Sequence, residues 1–291
     1  MPSETASPAP QITPSDQVTS LDLPAKVAVT LPMFEYFVRE AAGDAAEVIS
    51  LVPAGEDPTT YSLTAADLDL LSGVEFFYVN GLGLDDHLLE VIESNRDERA
   101  FVIPFSPNIR SPEIGGKTAE QAGDEPHLWL DPLLASVYVE IVADEFIIYD
   151  GVNRSTYSDS FSAFRERMRD LSRELQETLS AIPEGRRLLV TENDDLTHLA
   201  RRFGFEVVAT ADQQAGGVED IVQSLAQIVR SDDVPAVFGF HGYDDSVMSA
   251  VALEADVPLC LLYTDIFDEA VSGYDEMMRA NATELVSCLG D

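Results

Sequence analysis

The sequence has few basic residues, few cysteines and no long hydrophobic run. Its 291 residues include 17 Lys and Arg against 53 Asp and Glu, which gives a formal net charge of −36. Nucleic-acid binding depends on Lys and Arg at the phosphate backbone, so this charge argues against a nucleic-acid partner. Anionic lipid headgroups would also repel it, and no run approaches the roughly 18 apolar residues of a membrane span. We interpret the acidity as a solvated surface that favours solubility or salt tolerance.

The sequence patterns of common enzymes are also missing. Gly81-Leu82-Gly83 lacks the third glycine of a dinucleotide-binding fingerprint. No serine lies in a Gly-x-Ser-x-Gly turn, and neither cysteine is accompanied by a histidine at a telling position. We therefore predict that the protein is not an enzyme.

The first residues, 1–24, are rich in Ser, Thr, Pro and Gln and have no hydrophobic periodicity. This composition is typical of a disordered tether. The segment has neither the basic start nor the apolar stretch of a signal peptide. If the protein is exported, we expect its targeting segment to be absent from this sequence.

From residue 25 onwards, short apolar runs alternate with helical stretches. Nearly continuous apolar runs are typical of parallel strands covered on both faces. The predicted strands are Lys26–Leu31, Glu47–Pro53, Glu75–Asn80, Ala100–Phe105, Arg187–Thr191, Glu206–Ala209, Ala236–Phe240 and Pro258–Tyr263. The predicted helices between them include Met33–Ala42, Thr64–Ser72, Asp86–Ser94, Leu133–Val142, Val218–Val229 and Asp244–Glu254, with a final helix from Asp275 to Leu289.

One long charged segment interrupts this alternation between the fourth and fifth strands. Apolar residues recur in it at helical spacing; they are Phe161, Phe164, Met168, Leu171, Leu175 and Leu179. We predict an α/β fold with two similar lobes, each a small parallel sheet flanked by helices. The lobes would span residues 25–153 and 184–291, joined by a single backbone helix over residues 154–183.

Oxygen and nitrogen donors follow several of the predicted strands. Open α/β sheets bind ligands beyond the carboxyl ends of their strands, so these donors are expected to meet in a cleft between the lobes. His127 stands in the segment EPHLWLDP at 125–132, where two prolines predict a rigid loop leading into a helix. Neutral imidazole is the commonest metal ligand in proteins. His127 is therefore a candidate ligand, although a packed core histidine is an equally good interpretation of these eight residues alone.

Six short motifs follow one another along the chain. They are LVPAGEDPTTY at 51–61, NGLGL at 80–84, PHLWLDP at 126–132, VTEND at 190–194, LYTD at 262–265 and GYDEMMRAN at 273–281. Together, these motifs resemble the solute-binding proteins of zinc- and manganese-type ABC importers. These segments occur in the family's order from about Val27 to Leu289. The resemblance implies that a metal ion is held by four side chains, two from each lobe.

The resemblance carries over to the ligand residues only in part. His127 and Asp265 match the second and fourth family ligands. Thr59 stands where the family has a histidine, and Asn193 stands at the third ligand position. Hydroxyl and amide oxygens bind transition metals weakly. Three alternatives follow: Glu192 or Asp194 replaces Asn193, His241 supplies the missing imidazole, or transition-metal binding has been lost.

The resemblance implies a function outside the cytoplasm. The protein would bind zinc or manganese in the cleft and deliver the ion to an ABC permease in the membrane, as a monomeric periplasmic protein or a lipoprotein. The competing hypothesis is a degenerate family member that acts as an interaction or adhesion module or binds another solute. Thr59 and Asn193 favour this alternative, whereas His127 and Asp265 argue against it.

The two cysteines, Cys260 and Cys288, have no zinc-motif spacing. Two separate buried thiols are the default in the cytosol, whereas a disulfide between the last helix and the sheet fits an exported protein. A bridge would close a loop of roughly 28 residues and stabilise the second lobe by about 3 kcal/mol. The sequence leaves open whether Cys260 and Cys288 are separate thiols or form a disulfide.

Overall fold

The structure is a computed structural model that describes residues 23–53, 56, 58–110, 117–122, 125–268 and 270–290. The predicted tether therefore lies outside the described residues, apart from Leu23 and Pro24. All eight predicted strands and the predicted helices fall within the described part of the chain. The predicted α/β class is confirmed.

The first lobe contains one four-stranded parallel sheet. Its strands are β1 (Ala25–Val29), β2 (Ala46–Ser50), β3 (Phe76–Val79) and β4 (Phe101–Pro104), and they are arranged in the order β2-β1-β3-β4. Most side chains of β1 and all of those of β3 are buried. Both faces of these central strands are covered, which explains their continuous apolar sequence.

The second lobe contains four shorter strands. They are β5 (Leu188–Thr191), β6 (Glu206–Thr210), β7 (Val237–Phe240) and β8 (Leu259–Leu262). We predicted one sheet, but the described strands form two parallel pairs, β5-β6 and β7-β8. β5 lies beside β7 without a hydrogen-bonded ladder between them. The strands within each pair are nevertheless parallel, so the carboxyl ends of the strands still bring the following loops together.

Helices cover the sheets of both lobes. They are α1 (Pro32–Ala42), α2 (Ala65–Leu70), α3 (Asp86–Asn95), α4 (Ala119–Ala122), α5 (Pro132–Tyr149), α6 (Arg154–Leu179), α7 (Thr197–Phe203), α8 (Val218–Ser231), α9 (Ser246–Ala255) and α10 (Tyr274–Leu289). No helix in the described part of the chain is both long enough and apolar enough to cross a membrane.

The long helix α6 connects the two lobes. Its apolar stripe is buried from Tyr157 to Leu179, with Phe164 and Met168 almost fully inaccessible. Phe161, which the periodicity also placed on this stripe, is only partly buried. α6 packs along α5 and α1 of the first lobe and along α10 of the second. Because one continuous hydrophobic core contains residues of both lobes, the connection between them is stiff.

A disulfide joins Cys260 in β8 to Cys288 in α10. It fixes the last helix to the sheet of the second lobe, which is the arrangement that an exported protein favours. Replacing both cysteines with alanine should lower the free energy of unfolding by about 3 kcal/mol, since the unfolded chain loses its closed loop. Urea unfolding of the double variant and the parent measures this loss. Two free thiols in denatured, unreduced protein would contradict the bridge.

The net charge of −36 also has a consequence for stability. Like charges repel each other in the compact state, and the screening length falls from about 10 Å at 0.1 M salt to about 3 Å at 1 M. We therefore expect the free energy of unfolding to rise with sodium chloride over this range. Urea unfolding at several sodium chloride concentrations checks this. The same series with uncharged sucrose in place of the salt is the control for general solvent effects. A flat or falling salt dependence would contradict the expectation.

Candidate metal site

The loop that carries His127 is held by the segment after β3. The carboxylate of Asp85 is buried and accepts hydrogen bonds from the backbone N–H groups of Asn80 (2.6 Å) and Gly81 (2.8 Å). Gly81 has a φ of 81°, and a Cβ there would lie 2.8 Å from Pro107, so glycine is required. This folded segment positions the side-chain amide of Asn80, which donates a hydrogen bond to the carbonyl oxygen of Pro126 at 3.1 Å.

The other side of the loop is fixed by the start of α5. Asp131 caps this helix, because its side chain accepts from the N–H of Leu133 at 2.9 Å and Pro132 occupies the first turn. Asp131 also forms an ion pair with Arg202 of α7, in the second lobe. The loop therefore has a defined position relative to both lobes. It contains a short 3₁₀ turn at Leu128–Leu130 and leads into α5, at the helix start that we predicted.

His127 is buried, with 4 % of its surface exposed. Its Nδ1 donates a hydrogen bond to a carboxylate oxygen of Glu125, and its backbone N–H donates to the other oxygen of Glu125 at 2.9 Å. The opposite ring nitrogen, Nε2, lies 3.9 Å from Oδ2 of Asp265. A carboxylate on one imidazole nitrogen, with the other nitrogen facing a second ligand, is the arrangement found around metal-bound histidines.

Asp265 comes directly after β8 and belongs to the second lobe. Its two carboxylate oxygens accept from the hydroxyl of Tyr243 at 2.8 and 2.7 Å, and Oδ1 also accepts from Thr264 at 3.1 Å. The indole N–H of Trp129 donates to the carbonyl oxygen of Thr264 at 2.7 Å. This bond ties the loop of His127 to the loop of Asp265 across the two lobes.

An ion fits between the two lobes at this point. Zinc lies about 2.0 to 2.1 Å from a histidine nitrogen and about 2.0 to 2.2 Å from a carboxylate oxygen. The separation of 3.9 Å between Nε2 of His127 and Oδ2 of Asp265 is shorter than two such bonds in line. One ion can therefore contact both atoms, one from each lobe.

A cavity of about 290 Å³ opens beside Asp265. It is lined by Thr59, Glu192, Asn193, Asp195, Phe240, Tyr243, Asp244 and Asp265. The structure therefore brings Thr59, Glu192, Asn193 and Asp265 of the predicted site together at one cavity. Thr59 lies at its exposed rim, whereas Glu192 and Asn193 are partly buried.

His241 is located elsewhere, although it also follows a strand. Its ring stacks on Tyr263 with the ring centroids 3.9 Å apart. It lines a separate cavity with residues that include Leu259 and Glu284. The imidazole of His241 thus packs on Tyr263 away from the site cavity, and we exclude His241 from the proposed ligands. Asp194, the other alternative for the third ligand, is exposed and does not line the site cavity.

Two carboxylates of the site were missed in the sequence. Glu125 contacts His127 directly, and Oδ1 of Asp195 lies 3.5 Å from the same imidazole. Asp195 stands just before α7, where an acid commonly interacts with the helix dipole, so its position in the sequence does not mark it as a ligand. Glu125 stands two residues before His127, but no spacing rule for metal ligands marks it.

Burial perturbs the titration of four groups in and around the site, which are His127, Glu125, Asp195 and Glu192. Burial opposes protonation of His127, but Glu125 and Asp195 outweigh it and raise the pKa of the imidazole well above its usual range. Burial raises the pKa of Glu125 to about 7 and also raises that of Asp195. Burial, followed by the carboxylates of Asp244 and Asp245, raises the pKa of Glu192. Negative groups thus outnumber positive ones in a space with little water, an arrangement that a bound cation would relieve.

The fold and the site together define a two-lobed α/β binding protein with donors from both lobes at one cleft. A family model described as the periplasmic component A of the zinc-uptake complex, ZnuA, matches residues 27–288. The chain belongs to this family. The predicted resemblance is confirmed, and with it the predicted function as the solute-binding component of a metal ABC importer at the level of the family; the adhesion alternative is not favoured.

Curated relatives cover most of the chain. The manganese-binding lipoprotein MntA of Halalkalibacterium halodurans is 27% identical over 270 residues, which is 91% of this chain and 88% of the relative. The manganese ABC transporter substrate-binding lipoprotein PsaA of Streptococcus pneumoniae is 24% identical, with 91% of this chain and 88% of the relative covered.

Solved structures share the fold. The periplasmic zinc-binding protein TroA of Treponema pallidum superimposes with a TM-score of 0.80 at 24% identity, covering 92% of this chain and 99% of that structure. A cadmium-bound periplasmic metal-binding protein of Candidatus Liberibacter asiaticus gives a TM-score of 0.78 at 21% identity, covering 91% and 99%. Both are two-lobed proteins, and the predicted two-lobed architecture is confirmed.

Proposed function

We propose that this protein captures a divalent transition-metal ion, manganese or zinc, between its lobes and delivers it to an ABC permease. One observation carries the proposal: Nε2 of His127 from the first lobe faces Oδ2 of Asp265 from the second at 3.9 Å. Family membership and the relatives named for manganese and zinc binding support the same class of ligand. Imidazole and carboxylate together suit both metals.

The position of the site explains how binding could be coupled to delivery. Each lobe contributes one strong ligand, so the ion stabilises the arrangement in which both ligands reach it, by its differential affinity for that arrangement. A permease that favours a different arrangement of the lobes would lower the affinity and release the ion. The stiff α6 connection limits the movement to small rotations of the lobes or to shifts of the ligand loops.

The proposed location is outside the cytoplasm. The relatives are lipoproteins or periplasmic proteins, and the Cys260–Cys288 disulfide fits an oxidising compartment. We propose a monomer that has no nucleic-acid partner and no catalytic role. Whether it is periplasmic or anchored as a lipoprotein is decided by fractionation of the host cells with and without detergent.

Elemental analysis and calorimetric titration test the proposed function. Protein purified without chelator should contain manganese or zinc in a ratio approaching one ion per chain. After chelator treatment, each metal should titrate to one site per chain. Protein that carries no transition metal and binds neither ion in the titration would contradict the proposal. It would favour the alternative of a degenerate family member that has lost metal binding.

A further inference from the structure

The loop between β5 and α7 has two candidate oxygen ligands, and the sequence position alone favours the weaker one. Asn193 stands at the third ligand position. Its Oδ1 already accepts from the backbone N–H of Asp195 at 3.2 Å, and a neutral amide is a poor ligand for zinc or manganese. Asn193 therefore holds the loop, and the bond that it accepts fixes the backbone of Asp195.

The carboxylate of Asp195 points into the site. Its side chain is only 16 % exposed, and Oδ1 lies 3.5 Å from Nδ1 of His127, the ring nitrogen that also contacts Glu125. It lines the same cavity as Asp265. Glu192 lines that cavity too, but burial and then the carboxylates of Asp244 and Asp245 raise its pKa most, and no ion pair joins it to His127 among the described residues. Asp195 is thus the carboxylate of this loop that lies nearest to His127.

We propose that Asp195 is the third strong metal ligand, two residues beyond the usual position, and that it replaces the ligand lost at Asn193. This inference rests on the proposed function. Three buried or nearly buried carboxylates, those of Glu125, Asp195 and Asp265, surround the imidazole of His127. Burying several like charges without a cation is costly, and an ion contacting Asp195 and Asp265 would offset that cost.

The donor set has a consequence for metal selectivity. With Asp195 as a ligand, the ion meets one imidazole and at least two carboxylates, with Thr59 at the rim of the same cavity. Oxygen donors suit manganese better than nitrogen donors do, whereas additional imidazoles favour zinc. Asp195→His should therefore keep a strong ligand and raise the ratio of zinc affinity to manganese affinity by about tenfold or more.

A pair of neighbouring asparagine variants tests whether Asp195 is needed. Asp195→Asn and Asp194→Asn each remove one negative charge from the same loop, but Asp194 is exposed and lies outside the cavity. Asp195→Asn should lower manganese affinity by about 1,000-fold, beyond the roughly 10- to 100-fold loss for groups that only support a ligand. Asp194→Asn should bind as the parent does. Equal affinities of Asp195→Asn and the parent would overturn the assignment.

A cysteine variant tests whether the side chain at this position touches the ion. A thiolate bound to cobalt(II) gives an intense charge-transfer absorption in the near ultraviolet, so cobalt is titrated into Asp195→Cys and into Asp194→Cys as the matched control. The band should develop at one equivalent in Asp195→Cys alone. Cobalt binding without this band would overturn direct ligation, and so would an Asp195→His variant with unchanged metal preference.

The two proposals fail in different ways. If the parent chain binds no manganese, zinc or cobalt, the proposed function fails before any variant is compared. If the parent binds one ion and Asp195→Asn binds it equally well, the function stands and only the role of Asp195 is wrong.

Discussion

Replacing His127 with alanine is expected to abolish metal binding at the cleft. Among the described residues, His127 provides the imidazole that faces Asp265, whereas Nε2 of His198 lies 2.8 Å from the carbonyl oxygen of Glu125 and His241 lies in a separate cavity. The remaining donors are oxygens, and hydroxyl and amide oxygens among them bind transition metals weakly. We expect the affinity for zinc to fall at least roughly 1,000-fold, which corresponds to about 4 kcal/mol. Calorimetric titration of chelator-treated protein measures the change.

His241→Ala is the matched control for this prediction. It removes an imidazole of the same lobe as Asp265, but its ring stacks on Tyr263 outside the cavity. Its metal affinity should equal that of the parent. Zinc and manganese titrations that are unchanged in His127→Ala would remove the basis of the site, and a loss in His241→Ala instead would restore the alternative in which His241 is the missing ligand.

Restoring the family's ligands at the two substituted positions is expected to raise the metal affinity. Thr59→His and Asn193→Glu together add two strong donors to a cavity that both positions already line. Affinity for transition metals depends on the number and type of ligands. The double variant should therefore bind zinc more tightly by about two orders of magnitude or more. Competition with a chelator of known affinity is the appropriate measurement, since direct titration saturates for tight binding.

Thr60→His controls for the mere addition of an imidazole near the rim. Thr60 is exposed and does not line the cavity, so this variant should bind as the parent does. A double variant that binds no more tightly than the parent would show that the cleft no longer has the geometry of the family. In that case, the retention of His127 and Asp265 would not be enough to argue for metal binding.

The fold could be predicted in most respects because its signals are local. Buried parallel strands such as β3 are continuous apolar runs, and the stripe of α6 repeats at helical spacing. The second lobe differed from the prediction in the division of its strands into two pairs. That division reflects the absence of a hydrogen-bonded ladder between the described strands β5 and β7. These strands are far apart in the sequence, and pairing between them leaves no periodic signal in either strand.

The candidate site could be predicted only as a set of loops. The sequence indicated that residues after the strands meet at one edge, and the cavity does bring Thr59, Asn193 and Asp265 together. No comparable rule predicts the direction in which a side chain within a loop points. His241 follows β7 directly but turns to Tyr263, whereas Asp195 turns inward from a position that is typical of a helix-starting acid.

Anomalous X-ray diffraction from crystals grown with manganese, collected near the manganese absorption edge, tests the central claim most directly. We predict a single strong peak in the cleft, about 2.0 to 2.3 Å from Nε2 of His127 and from a carboxylate oxygen of Asp265. A peak bound to one lobe only, a peak on the outer acidic surface, or the absence of a peak in crystals containing saturating manganese would contradict it.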